Sequence, residues 1–230
     1  MQNIYETPLT LTLSFPRYEL GGGPIRSFLL KLRDQSLTII SPPMGCNEND
    51  FVEIENLGVV KALVAPNKFH HMGIPQWKKR FPKAEIFTSQ TALVRMRKFY
   101  SSAVQPIETW GTDSEIHFLS CPGTRNGEML VVCKETGGWI WFITDLFFNY
   151  VVPPPNFFPR LMVQKVSGMG VVVNPFCRFL FVKNRTQVRE WLERQMETFP
   201  PQVITFSHGE PINKPNQLLD FTHKARTYDR

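Results

Sequence analysis

Apolar and polar residues alternate at period 2 through LTLTLSF (9–15), the pattern of a strand with one buried and one solvated face. RSFLLKL (26–32) and SLTIISP (36–42) lie either side of the polar RDQ and predict a hairpin. GVVKALVAP (58–66) is apolar and rich in β-branched residues, as a strand buried on both faces requires, and Pro66 ends it. IPQWKKRFP (74–82) is framed by prolines and predicts a short helix. AEIFTS (84–89) predicts the next strand and QTALVRMRKFY (90–100) a helix with an apolar stripe. Strand and helix in alternation predict a layered α/β domain.

Downstream, SEIHFLSCPG (114–123), EMLVVCKE (128–135) and GWIWFITD (138–145) predict three more strands, the last two joined through TGG (136–138). TQVREWLERQMETF (186–199) places Val188, Trp191, Leu192, Met196 and Phe199 on one face and predicts a helix with Thr186 as its N-cap. QVITFSHGEPI (202–212) predicts a short strand that runs out at His208, and a last helix is expected over 215–226. Residues 151–182 break the alternation and predict an irregular, Pro- and aromatic-rich excursion. Packing against the domain or a subunit is the commoner use of such a stretch, and an apolar lid formed by PPPNFFPRLM the rarer one. With no repeat and no low-complexity linker, one domain over 1–230 is expected.

An apolar fraction of 42% suffices for a sizeable core in 230 residues. The net charge of +6 is spread along the chain, in Lys78-Lys79-Arg80, Arg95, Arg97, Lys98 and the C-terminus, rather than concentrated as a nucleic-acid binder would concentrate it. Cys46, Cys121, Cys133 and Cys177 show no C-x-x-C spacing, which argues against a zinc ribbon or a redox pair. MQNIYETPLTLTLSFP lacks a secretory apolar core, and no run approaches eighteen apolar residues. A cytoplasmic protein with reduced thiols and no membrane partner is the expectation.

Three of the predicted strands finish in a candidate metal ligand: 58–66 ahead of His70 and His71, 138–145 at Asp145, and 202–207 ahead of His208. Layered α/β proteins gather their sites at strand C-termini. Three imidazoles and one carboxylate suit zinc or another first-row metal. Singly, each has a commoner use, as a solvated or core histidine or as a turn aspartate. His117 is expected to be structural, since it and Ser120 fall on opposite faces of one strand. Cys121 is expected to be a small buried thiol, and His223 a surface residue of the last helix.

KALVAPNKFHHMGIPQWKKRFPKAEIFTS resembles the metallo-β-lactamase superfamily, in which a strand runs into H-x-H-x-D-H-x-G and then a helix and a strand. SCPGTRNGEMLVV resembles the superfamily's H-T-P-G turn, WIWFITDLFF its buried strand ending in Gly-Asp, ITFSHGEPI its closing strand and SFLLKLRDQSLTIISPP its opening hairpin. The order of the motifs matches, over roughly residues 25 to 212, and the wording is most similar to an uncharacterised, mainly bacterial branch. The resemblance implies an α/β fold of the metallo-β-lactamase-like four-layer αβ/βα sandwich type, with helices outside two mixed central β-sheets.

Position by position, the resemblance puts Pro66, Lys68 and Ser120 where the three histidines of the first metal position stand. His70 falls on the motif's aspartate, His71 on its last histidine, Asp145 on the bridging carboxylate and His208 on the final histidine. It therefore implies one divalent ion in the second position, on His70, His71, Asp145 and His208, with zinc first and iron or manganese as alternatives. A lysine at 68 would supply positive charge where the other ion is missing, or else point to solvent. Imidazole at 70 makes the set less negative, which disfavours calcium and magnesium. The implied function is metal-dependent hydrolysis of a small-molecule substrate, with Asp145 as ligand and proton acceptor; lactones, thioesters, β-lactams and phosphodiesters all remain open. A non-catalytic binding or scaffold protein is the alternative, because four protein ligands can saturate a tetrahedral ion.

Overall fold

The computed structural model describes residues 1–19, 24–111, 114–152, 160–161 and 168–230. They form two compact units, the first ending at 111 and the second beginning at 114. The lid expectation for PPPNFFPRLM (153–162) falls on residues 153–159 and 162, outside the described residues, except at 160 and 161.

In the first unit, strands β1 (Gln2–Glu6), β2 (Thr10–Glu19), β3 (Pro24–Lys31), β4 (Ser36–Ile40), β5 (Val59–Ala65), β6 (Glu85–Thr88) and β7 (Val104–Pro106) form one sheet in chain order. Pairing is antiparallel from β1 to β4 and parallel from β4 to β7. Each parallel step is carried by a helix: α1 (Glu48–Leu57), α2 (Ile74–Arg80) and α3 (Gln90–Tyr100). That explains the apolar character of β4 and β5, whose side chains Leu37, Ile39, Leu63 and Ala65 pack with Phe51, Ile54 and Trp77 of the helices. The sequence reading placed α2 and α3 but not α1. Its signal is local: Asn47 and Asp50 form a reciprocal capping box at a helix start, and the helix itself is too polar to show an apolar run.

In the second unit, β8 (Ile116–Ser120), β9 (Met129–Glu135), β10 (Gly138–Ile143) and β13 (Pro201–Phe206) form a sheet in the order β13-β10-β9-β8. β10 runs parallel to β13, and the other pairs are antiparallel, so this sheet is mixed as well. β11 (Phe147–Tyr150) and β12 (Gly170–Val173) make a separate antiparallel pair, followed by a π-helical turn over Cys177–Phe181. α4 (Arg185–Thr198) and α5 (Pro215–Arg226) supply Val188, Trp191, Leu192, Phe221 and Ala225 to a core built on Trp141, Ile143, Ile204 and Phe206. The excursion expected to be irregular thus contributes a strand, β12, to the fold.

One local expectation is corrected. The N-cap of α4 is Asn184, whose side chain accepts from the Gln187 backbone N–H at 3.0 Å, and Thr186 lies inside the first turn. Asparagine caps at least as well as threonine, and the helix starts where the first orphan N–H finds its acceptor. Asn184→Ala is expected to lower unfolding stability by ~1 kcal/mol in urea titration, with Thr186→Ala nearly neutral.

Candidate metal centre

In the first unit, β5 ends at Ala65 and the chain turns at once through Pro66 and Asn67, both buried. The Asn67 side-chain oxygen accepts from the backbone N–H of Phe69 at 2.8 Å and of His70 at 3.1 Å. That closed turn is why two adjacent histidines need not point to opposite faces as they would on a strand. Gly73 fixes the exit. A Cβ there would lie 2.2 Å from the Pro42 carbonyl oxygen and 2.3 Å from that of Pro43, so only glycine lets the turn lie against the chain leaving β4.

Each histidine has its Nδ1 at a hydroxyl. His70 Nδ1 is 2.7 Å from Ser41 Oγ, and Ser41 holds a left-handed φ of 56° immediately after β4. His71 Nδ1 is 2.9 Å from Tyr100 Oη, and the same hydroxyl lies 2.9 Å from the His71 carbonyl oxygen. The carbonyl can only accept, so the phenol proton goes to it. Both contacts are satisfied when Nδ1 of His71 carries a proton and donates to Oη, which leaves Nε2 with its lone pair. Burial raises the Tyr100 phenol to about 12, so it stays a donor. Burial, then the charges of Arg95 and His70, pushes the His71 imidazolium below the usual histidine range, favouring the neutral form a metal needs.

Tyr100→Phe removes that hydroxyl and leaves the ring. It is expected to cost about 1–2 kcal/mol of stability in urea. It should also weaken metal binding about 10–100-fold, as loss of an orienting partner does, measured by competition with a chromophoric chelator. Wild-type behaviour in both measurements would remove Tyr100 from the site.

In the second unit, Asp145 stands two residues beyond β10, and His208 two beyond its parallel neighbour β13. Parallel pairing brings these ends together: His208 Nε2 is 3.4 Å from Asp145 Oδ1, with the two side chains 13% and 15% exposed. Asp145 is anchored from beneath, its backbone N–H donating to Glu128 Oε1 at 2.8 Å. Glu128 is itself buried, with Oε2 accepting from Asn126 Nδ2 at 3.0 Å. His208 packs against Phe148, ring centres 4.6 Å apart, and its carbonyl accepts from the Asn149 N–H at 3.0 Å. Tyr150, at the end of β11, is raised to about 12 by burial and by the Asp145 charge.

Ser120 is exposed at the end of β8, and Lys68 is half-buried on a groove beside α3. His117 lies between Trp139 and Phe199, at ring distances of 5.6 and 4.8 Å, a packing role. Cys121 is buried, its thiol pushed well up by burial and then by Glu128, and His223 is exposed on α5. Ser41, Tyr100, Asn67 and Glu128 are the residues the sequence reading missed. Only Asn67 has a local signal, an asparagine at the head of the turn that it closes by accepting from the N–H two residues on.

No family model matches the sequence, and no curated protein sequence matches it. Solved structures do. A flavodiiron core from Synechocystis superposes over 95% of this chain with a TM-score of 0.62 and 16% identity. The chain spans 58% of that protein's length. A metallo-β-lactamase from Pontibacter korlensis superposes over 98% of each chain with a TM-score of 0.55 and 11% identity. One from Hirschia baltica covers 94% of this chain and 92% of its own, with a TM-score of 0.55 and 13% identity. The likeness at these identities is one of fold: the chain has the α/β fold of the metallo-β-lactamases, with its two mixed central sheets.

Proposed function

We propose that the protein is a metal-dependent hydrolase of the metallo-β-lactamase superfamily that holds a single divalent ion. The proposed ligands are the four residues that the sequence places just beyond strand ends: His70, His71, Asp145 and His208. One observation carries the reading. Two donors bound at ~2.0–2.1 Å to a tetrahedral zinc lie ~3.3–3.4 Å apart. His208 Nε2 and Asp145 Oδ1, 63 residues apart in sequence, stand 3.4 Å apart. The Nε2 lone pair left on His71 by Tyr100 supports the same chemistry. Zinc suits the imidazole-rich donor set first, and iron or manganese are the alternatives. Pro66, Lys68 and Ser120 offer none of the imidazoles a second ion would need, which favours one ion over two.

When bound, such an ion lowers the pKa of water and polarises a carbonyl or phosphoryl oxygen. The chain's own contribution is placement and proton handling. Glu128 and the parallel β10–β13 pairing hold Asp145, which serves as ligand and accepts the proton released from water. Phe148 limits the motion of the His208 ring.

The test is a panel of ester, lactone, thioester, β-lactam and phosphodiester substrates, with and without chelator. Hydrolysis that stops with chelator and with Asp145→Asn supports the reading. Activity that survives both, or silence of a metal-loaded protein across the panel, contradicts it. Silence favours a metal-holding scaffold.

A further inference from the structure

Helix α3 has one face for the core and another the core does not use. Ala92, Leu93 and Met96 are buried, while Thr91, Val94, Arg95, Lys98 and Phe99 line a groove of about 330 Å³ whose other wall includes Lys68. Val94 is 73% and Phe99 57% exposed, and both belong to this groove-lining face of the helix. Three of the six lining residues are cations and none is a carboxylate.

The arginine is held in place by rings rather than by acids. Its guanidinium carbon lies 5.8 Å from the centre of Phe69 and 5.7 Å from that of Phe99. Arg80 and Arg189, by contrast, are engaged by Glu55 and Asp229. Among the described residues, no carboxylate is paired with Arg95 or Lys98. A guanidinium supported by aromatic faces keeps its N–H fork for a planar or tetrahedral anion, and loses little freedom on binding one.

We propose that this groove binds a small phosphorylated molecule, its phosphate on Arg95 and Lys98 and an apolar arm against Val94 and Phe99. The charge pattern asks for the anion, the exposed apolar pair for the arm, and the volume for a ligand of small-molecule size. Phe99 also stacks beside His71 at 5.0 Å, and Lys68 belongs to the turn that carries His70. The groove therefore adjoins the histidine turn within the first unit. As substrate recognition the proposal rests on the hydrolase reading; as a binding site it stands alone.

Phenyl phosphate is the probe, titrated into the purified protein by calorimetry, with benzyl alcohol and inorganic phosphate as partial probes. Saturable binding is expected, weaker for either partial probe and falling with added salt. The double substitution Arg95→Gln with Lys98→Gln should weaken it about tenfold or more, and Lys98→Gln alone by less. Both positions are exposed, and a denaturation curve checks that the fold is intact. His208→Ala should leave phenyl phosphate binding unchanged, which separates the groove from the metal reading. No saturable binding, or equal affinity in the double variant, overturns the proposal. So does binding lost with His208→Ala but kept in the double variant. Association with anionic lipid vesicles in the absence of phenyl phosphate binding would overturn it in favour of a membrane surface.

Discussion

Gly209→Ala is expected to destabilise the protein by ~3–5 kcal/mol and to weaken its metal binding, the largest stability effect of any single methyl group near the site. A Cβ at this position would lie 2.0 Å from the Asn149 carbonyl oxygen, 2.5 Å from its carbon and 2.6 Å from its nitrogen. All three are backbone atoms and cannot rotate away. The φ of +120° adds conformational strain for any L side chain. The crowding exists because the chain is fastened on both sides of Gly209. Asn149 N–H donates to the His208 carbonyl at 3.0 Å, Glu210 N–H donates to the Asn149 carbonyl at 3.0 Å, and Asn149 Nδ2 donates to the Glu210 carbonyl at 2.6 Å. Relief of the clash must break this bridge, and His208 moves with it. Gly45→Ala is the control: it also has a positive φ, but a Cβ there meets nothing within 4 Å. Its cost should be only ~1 kcal/mol, for conformation alone. Equal effects in guanidinium titrations would show that the 208–210 bridge does not position the histidine.

His208→Ala is expected to lower metal affinity by more than ~100-fold, beyond the 10–100-fold typical of losing an orienting partner. In the proposed centre the histidine would supply a donor atom from a ring that is already held, by Phe148 on one side and by its own carbonyl's bond to Asn149. Asp145→Asn tests the other half of the pair with little change of shape. It removes the negative charge that balances a divalent ion while keeping the backbone N–H that Glu128 accepts. Zinc competition assays should show both variants weak, and denaturation curves should show both folded. Substitution of His117, packed between Trp139 and Phe199, should leave metal affinity at the wild-type value.

Much of the framework can be read from residue patterning because the responsible interactions are local or periodic. The apolar runs at 58–66 and 138–145 become β5 and β10, and the proline frame and apolar stripe become α2 and α3. The start of α4 at Asn184 rather than Thr186 turned on a single side-chain acceptor, and α1 rested on a capping box without an apolar run. For the candidate site, the histidines and the aspartate stand out at strand ends. Their supports do not. Tyr100 comes to His71 across 29 residues, Ser41 to His70 across the same number, and Glu128 to Asp145 across 17. No local spacing encodes these contacts, since they depend on which strands pair and in what register.

Metal stoichiometry of the purified protein, by elemental analysis after zinc loading and removal of loosely bound ions, bears most directly on the single-ion reading. The expected result is one equivalent per chain in the wild type and a small fraction of that in His208→Ala. Two equivalents would show that Pro66, Lys68 and Ser120 do not close the first position. No retained metal, or the same amount in wild type and variant, would contradict the proposed centre outright.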